Sequence, residues 1–348
     1  MAVLDNIVRV QISISQAATE NTTFERMLIL GTKPAAQAAT AAAFAYYTSL
    51  DQILDAGWVA TEDVYKAADM AFSNGAGGVY VVPYNSETST ALTALLDDAL
   101  NEGGWYGLVT VGVATSNYST ISTWCETNHK LFGFSVADNA ATLNPVGTTN
   151  LYTFGIAYDT NGTKNAFIHV AYMAKCFTYE PGTETWAYKT LTNITAGSYT
   201  KTQIDAIKAA GVNCYALIGG RTVTYDGATV SGEWIDVMRY CDYLASAIQE
   251  SVYSLLASTV KVPYNAAGLT AIESAIRKVL TKGQSDGCID GTDFLENGTS
   301  VPGFTVTIPD ITTISSATRA TRTLNGVSFS ARLSGAVHVV EIVGTLSE

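Results

Sequence analysis

The chain has 348 residues, enough for two domains or for one large domain with an insertion. Hydrophobic residues make up 47% and charged residues only 14%, against the roughly 25% charge of an ordinary soluble protein, so either neighbours cover much of the surface or Thr, Ser and Asn solvate it. The net charge of −12 argues against nucleic acid or an anionic membrane as the main partner.

The first sixteen residues alternate, with Val8, Val10, Ile12 and Ile14 on one face and Arg9, Gln11, Ser13 and Ser15 on the other, which predicts a strand. That pattern is neither a membrane span of roughly 18 apolar residues nor a basic start followed by a secretory core. Thr19 to Thr23 reads as a polar linker, and Met27 to Leu30 as a short buried strand closing on Gly31. From there to about residue 175 strands and helices take turns. Helices are expected over 61–74, with Val64, Ala67, Ala68, Ala71 and Phe72 inward, over 90–101, and over 119–129. Strands are expected at 79–82, 108–113, 131–136 and 152–157. Such alternation favours a mostly parallel sheet with flanking helices. Residues 34–60 and 137–150 give no assignable element.

Near residue 200 the character changes. Thr200-Lys-Thr-Gln203 fits a capping box opening a helix that Gly211 stops, and Cys214 to Ile218 is a strand running into Gly219-Gly220. Residues 234–257 form the longest predicted helix. Val237, Met238, Cys241, Leu244, Ala245, Ile248, Val252, Leu255 and Leu256 follow its period, with Asp236, Arg239, Asp242 and Glu250 on the other face. Thr270-Ala-Ile-Glu273 reads as a second capping box, with Gly283 as the stop. The remainder is β-like at 304–308, 326–333 and 336–346, where Val327, Phe329, Ala331 and Leu333, and then Val337, Val339 and Ile342, give strand-like runs near the chain end. Two apolar strands at the two ends leave hydrogen-bonding edges to account for: they pair inside the monomer, or they add to a sheet in a neighbouring copy.

Chemistry-bearing motifs are weak. Gly75-Ala-Gly77-Gly78 follows a helix and leads into a strand, the reverse of a phosphate-cradling loop. His129, His169 and His338 stand far apart without metal-ligand spacing, and no GxSxG elbow is present. The five cysteines (Cys125, Cys176, Cys214, Cys241, Cys288) are odd in number and widely spaced, as for reduced core thiols. Asp286, Asp290, Asp293 and Glu296 lack the alternation of an EF-hand loop and read as a solvated turn. Arg277, Lys278 and Lys282 complement the end of their helix or face an acidic partner. The expectation is a protein without catalytic, cofactor or metal site.

Residues 186–346 carry a resemblance. A helix ending at Gly211-Val-Asn213, a strand, Gly219-Gly220-Arg221-Thr222, and then Trp234-Ile-Asp236-Val-Met-Arg239 leading into a long helix are similar in order and spacing to contractile tail sheath proteins. Val262-Pro263-Tyr264-Asn265 with Gly268, Arg322, Gly326 to Leu333 and Gly335-Ala336-Val337-His338 continue the likeness, and Glu25-Arg26-Met-Leu-Ile-Leu-Gly31 supports it from the N-terminal half. The resemblance implies a subunit that stacks in rings around an inner tail tube and contracts by rigid-body movement, with its terminal strands exchanged between subunits. It implies an N-terminal strand arm at 1–20, an α/β domain at 21–199, an α+β C-terminal domain at 200–325 and a C-terminal strand arm at 326–348. The intersubunit strands would be Val8, Val10, Ile12 and Ile14 together with Val327, Phe329, Ala331, Leu333, Val337, Val339 and Ile342, and Arg277, Lys278 and Lys282 would face the tube. Implied partners are neighbouring copies, the tail tube protein, and baseplate and tail terminator proteins, in a virion tail or tail-like particle assembled in a bacterial host's cytoplasm. Two other classes remain. An enzyme on an α/β core needs convergent titratable groups; another shell or surface-layer protein would share the low charge but not the ordered motifs.

Overall fold

The computed structural model describes residues 23–32, 44–84, 89–162, 164–294 and 298–341, so the predicted strand at Val8 to Ile14 and Ile342 lie outside the described residues. The chain divides into two compact units, one up to Glu250 and one from Ser251 onward.

The first unit is built on an eight-stranded sheet. In chain order its elements are β1 (Met27–Thr32), β2 (Ala45–Tyr47), α1 (Leu50–Asp55), α2 (Asp63–Ser73), β3 (Val79–Tyr84), α3 (Ser89–Glu102), β4 (Gly107–Val111), α4 (Tyr118–Asn128), β5 (Leu131–Ala137), β6 (Thr153–Tyr158), α5 (Ile168–Phe177), α6 (Lys201–Ala209), β7 (Val212–Ile218) and β8 (Arg221–Tyr225). The strand order is β2-β3-β1-β4-β5-β6-β7-β8. All pairs from β3 across to β7 are parallel, and β2 and β8 close the edges antiparallel. The mostly parallel sheet with flanking helices is thus as the alternation predicts. Parallel strands buried on both faces read as continuous apolar runs, and MLIL in β1 shows why: Met27 and Ile29 pack in one core cluster with α2 and α5, Leu28 and Leu30 in another with α3 and α4. Glycines let the middle of the sheet interlock. A Cβ on Gly133 would meet the ring of Phe154 at 2.5 Å, and one on Gly155 the ring of Phe134 at 2.5 Å.

The Thr200 capping box forms as expected, with both reciprocal bonds to Gln203, and Gly211 follows α6 at φ +72°. Gly219 and Gly220, both at positive φ, make the tight turn between β7 and β8. Helix α5 goes unassigned in the sequence. It is buried nearly all round and so shows no amphipathic stripe.

Helix α7 (Ile235–Ser258) is the long helix expected from its period. In the second unit come α8 (Ala266–Ser285), β9 (Asp293–Phe294), β10 (Ser300–Val301), β11 (Phe304–Thr307), α9 (Ser316–Ala320) and β12 (Ser328–Ala331). The start of α8 corrects the sequence reading. Asn265, not Thr270, caps it by accepting from the Gly268 amide, and Thr270 lies a turn inside. Asn is as good a cap as Thr or better, and Ala266-Ala267 favours helix, so the earlier start wins. Gly283 is likewise inside the helix, its carbonyl accepting from Cys288 and Ile289 beyond the end, while Gly287 takes the positive φ after the cap.

Candidate assembly surface

In the second unit β11 and β12 pair antiparallel, with Val306 opposite Phe329 and Phe304 opposite Ala331. The expected alternation holds: Val327, Phe329, Ala331 and Leu333 are half-buried, and Ser328 and Ser330 are exposed. A two-stranded ribbon is marginal by itself and presents open edges, so this pair is a natural seat for further strands.

The chain is held firmly as far as Ser334. Arg332 donates from its amide to the Gly303 carbonyl (2.8 Å), and Asp290 donates from its amide to the Arg332 carbonyl (2.9 Å). Ser334 donates to the Cys288 carbonyl (2.9 Å), and Leu333 bridges Ile289. The Asp290 carboxylate takes a bond at 2.6 Å from the Ser334 hydroxyl and another at 2.6 Å from Arg332 Nε, which hold its pKa below the ordinary carboxylate range. Part of the acidic run thus serves as a clamp on the C-terminal segment. Beyond the clamp the chain leaves the sheet. Residues 335–341 lie in no strand, and Val337, Val339 and Val340 are 77%, 75% and 70% exposed. The strand expected over 336–346 is therefore not paired within this chain among its described residues.

The three candidate tube cations lie on exposed positions of α8. Arg277 is tied to Glu273 one turn back (2.7 Å) and sits over the Phe304 ring at 5.9 Å, while Lys282 pairs with Asp286. Lys278 forms no ion pair among the described residues.

The apparent polar face of α7 is exposed at Glu250 but buried at Arg239 and Asp242, which departs there from a simple amphipathic helix. Arg239 is 0% exposed and pairs with the equally buried Glu184. Its remaining donors are spent on the Phe24 carbonyl (Nε 3.2 Å, Nη2 2.9 Å), the Tyr179 carbonyl (2.9 Å) and the Cys176 carbonyl (3.4 Å). One turn on, the Asp242 carboxylate accepts from the Tyr106 hydroxyl (2.7 Å) and the Tyr152 hydroxyl (2.9 Å), with His129 Nδ1 3.3 Å away. Burial and the neighbouring Asp242 push both tyrosine pKa values up, so the hydroxyls stay donors. Beside them Lys130 is buried, donates to the Trp105 carbonyl (2.7 Å) and has its pKa pushed down to about 8 by burial. These groups are sealed among helices and sheet, where they fix α7 to the α/β unit.

Asp236, at the start of α7, is the uncompensated member. Its Oδ1 is buried with no hydrogen-bond partner among the described residues, and burial raises its pKa to about 6, with Glu184 adding to the rise. The folded state then binds a proton that the unfolded state has released between about pH 4 and 6, so stability falls as pH rises through that window. We expect Asp236→Asn to stabilise the protein at pH 7.5 by about 1–3 kcal/mol, the upper figure being two pKa units, and to leave it unchanged near pH 4. Urea melts at the two pH values measure this; an equal effect at both would refute it.

Residues 235–346, from the start of α7 to beyond the clamp at Ser334, match the family described as E217 tail sheath protein gp31-like, C-terminal domain. No curated protein matches by sequence. Among solved structures, one from the anti-feeding prophage (AFP) baseplate, 6-fold symmetrised, aligns with TM-score 0.72 and 14% identity over 98% of each chain. One from the PVC sheath complex of an extracellular contractile injection system, in the contracted state, aligns with TM-score 0.71 and 13% identity over 97% of this chain and 96% of that one. The sheath tail protein of Desulfitobacterium hafniense aligns with TM-score 0.57 and 9% identity over 81% and 89%. The fold is that of the sheath proteins of contractile tails and injection systems. Residues 235–346 thus match a tail sheath C-terminal domain in sequence, and the rest of the chain shares the sheath fold.

Proposed function

We propose that this chain is the structural subunit of a contractile sheath, polymerising as stacked rings around an inner tube and driving that tube through a cell envelope on contraction. The observation that carries the reading is the C-terminal segment: a strand clamped up to Ser334, followed by the exposed valines 337, 339 and 340, which find no strand partner among the described residues. Strand addition to a neighbouring copy covers those valines and satisfies their backbone. The segments are Val8 to Ile14 at one end and, at the other, the run from Val337 to Ile342, with Val327 to Leu333, in β12 and the clamped stretch after it, as its root, already paired in its own chain. Backbone ladders suit such links, because they hold under load without side-chain specificity while rigid bodies slide and rotate. Electron microscopy of the purified protein tests this directly. Striated hollow cylinders are the expected result, and flat lattices or isolated monomers would count against it.

The tube partner is assigned to α8. Exposed cations there suit an acidic tube surface, and Lys278 has no ion pair of its own among the described residues. Reversing all three charges (R277E, K278E, K282E) is expected to leave cylinders of sheath alone intact while abolishing co-sedimentation of sheath with tube; undiminished co-sedimentation would remove α8 from the interface.

A further inference from the structure

We propose that Arg239, Asp242 and Tyr243 of α7 anchor the root of the N-terminal arm, so that pull on the arm enters α7 before it reaches the sheet. The inference rests on the sheath reading, in which that arm joins neighbouring copies. Two side chains of one helix face, Arg239 and Tyr243, meet Phe24 directly, and a third, Asp242, acts on it through Tyr106. Arg239 grips its carbonyl from two nitrogens, at 3.2 and 2.9 Å. The Tyr243 ring meets the Phe24 ring edge-on, with centroids 5.6 Å apart. Tyr106, whose hydroxyl is held by Asp242, packs on the Phe24 ring from a centroid distance of 4.9 Å. Positions 239, 242 and 243 stand at the i, i+3, i+4 spacing that places residues on one helical face.

The other side of the root is held by backbone. The Arg26 carbonyl accepts from the Tyr106 and Gly107 amides (3.0 and 3.2 Å), and the Arg26 amide returns to the Thr23 carbonyl (3.2 Å). Beyond Arg26 the chain becomes β1, paired with β3 on one side and β4 on the other. Without the grip on Phe24, tension in the arm would fall on Met27 and peel β1 from both neighbours.

A buried ion pair is a weak way to gain stability, since apolar residues of similar volume serve as well or better. What the guanidinium adds is direction. Its five N–H groups form a rigid fork, and here every one is committed: to the arm root, to the last turn of α5 and its following residues, and to Glu184. A charge-assisted grip on a backbone carbonyl resists displacement whatever side chain the carbonyl belongs to. A cavity of about 230 Å³ opens beside the grip, lined among others by Phe24, Tyr179, Arg239 and Tyr243. Water can therefore take over the carbonyls of Phe24 and Tyr179 when the guanidinium is removed, which makes a neutral replacement feasible.

The test is single-molecule pulling on the full chain in its monomeric form. One axis runs from the N-terminus to position 250 on α7 (E250C); the second runs from position 161 to position 250 (N161C with E250C) and bypasses the root. Four of the five native cysteines are buried, which favours labelling at the introduced thiols. For the double variant R239M/E184M we expect the first opening at a fixed force to be about tenfold faster along the N-terminal axis and unchanged along the other. Tyr243→Leu, at a half-buried position, should give a smaller acceleration on the same axis and serves if the double variant does not fold. An unchanged rate along the N-terminal axis would overturn the proposal, and so would equal acceleration along both, which marks a contribution to general stability alone. The pulling assay concerns the monomer and the microscopy concerns the cylinder, so the failure of one is not mistaken for the failure of the other.

Discussion

Arg239→Ala is expected to destabilise the protein by about 3–5 kcal/mol, because it strands the Glu184 carboxylate inside the first unit without a cation. Glu184 is 0% exposed at its side chain, so it has no water to fall back on. The Phe24 and Tyr179 carbonyls lose their donors too, though the adjoining cavity limits that cost. Against a total stability of about 5–15 kcal/mol, the loss is a large fraction of the whole. A thermal melt should fall by roughly 6–20 °C, taking 2–4 °C per kcal/mol for a unit of this size. The informative control is R239M/E184M, which removes both charges and leaves apolar chains of similar volume. It is expected to melt close to the wild type, since a buried pair yields little over an apolar replacement. A double variant as unstable as Arg239→Ala would show that the carbonyl contacts, and not the orphaned carboxylate, dominate the loss.

The same residue shows where sequence reasoning reaches its limit. Arg239 and Asp242 stand at helical spacing opposite the apolar stripe of α7, and a polar face ordinarily points to water. What buries this one is the arrival of Phe24, Glu184, Tyr106 and Tyr152 from positions 55 to 215 residues away in the chain. No local pattern encodes that. The strands and amphipathic helices were legible because their signals are local: Val64, Ala67, Ala68 and Ala71 mark one face of α2, and the continuous MLIL run marks a strand buried on both faces. Helix α5 was invisible for the opposite reason, as burial on nearly all sides erases periodicity. At α8 the Thr270 capping box misplaced the start, because Asn265, a turn earlier, caps the helix instead. The apolar alternation of the C-terminal segment was plain, but alternation says only that a strand is available. Whether its partner lies in the same chain depends on edges far away in sequence, and for 336–341 no partner strand stands in this chain among its described residues.

That contrast leads to the second large effect. A chain ending at Ser334 is expected to fold with the stability of the full chain and to form no cylinders. The described part of what is removed, residues 335–341, leaves every strand of the two units intact, and its valines 337, 339 and 340 are already exposed. The clamp of Asp290 on Arg332 and Ser334 stays in place. Little folding free energy should therefore be lost. Assembly is another matter. A ladder of five or six backbone hydrogen bonds contributes about 2.5–9 kcal/mol net at 0.5–1.5 each, besides the burial of the valines. Each tenfold of affinity is about 1.4 kcal/mol, so losing one such link weakens a subunit contact by roughly two to six orders of magnitude. Rings stacked through many links should then not form at any attainable concentration. Removing residues 1–18 is expected to give the same result from the other end, a folded monomer that does not polymerise. The two truncations, mixed, should not rescue each other, because each subunit still lacks a link it must donate. Calorimetry and negative-stain microscopy of the two proteins measure both halves of the claim. Ordinary cylinders from either truncation would show that lateral contacts between rigid bodies suffice, and the terminal strands would then have to be reassigned to packing within the subunit.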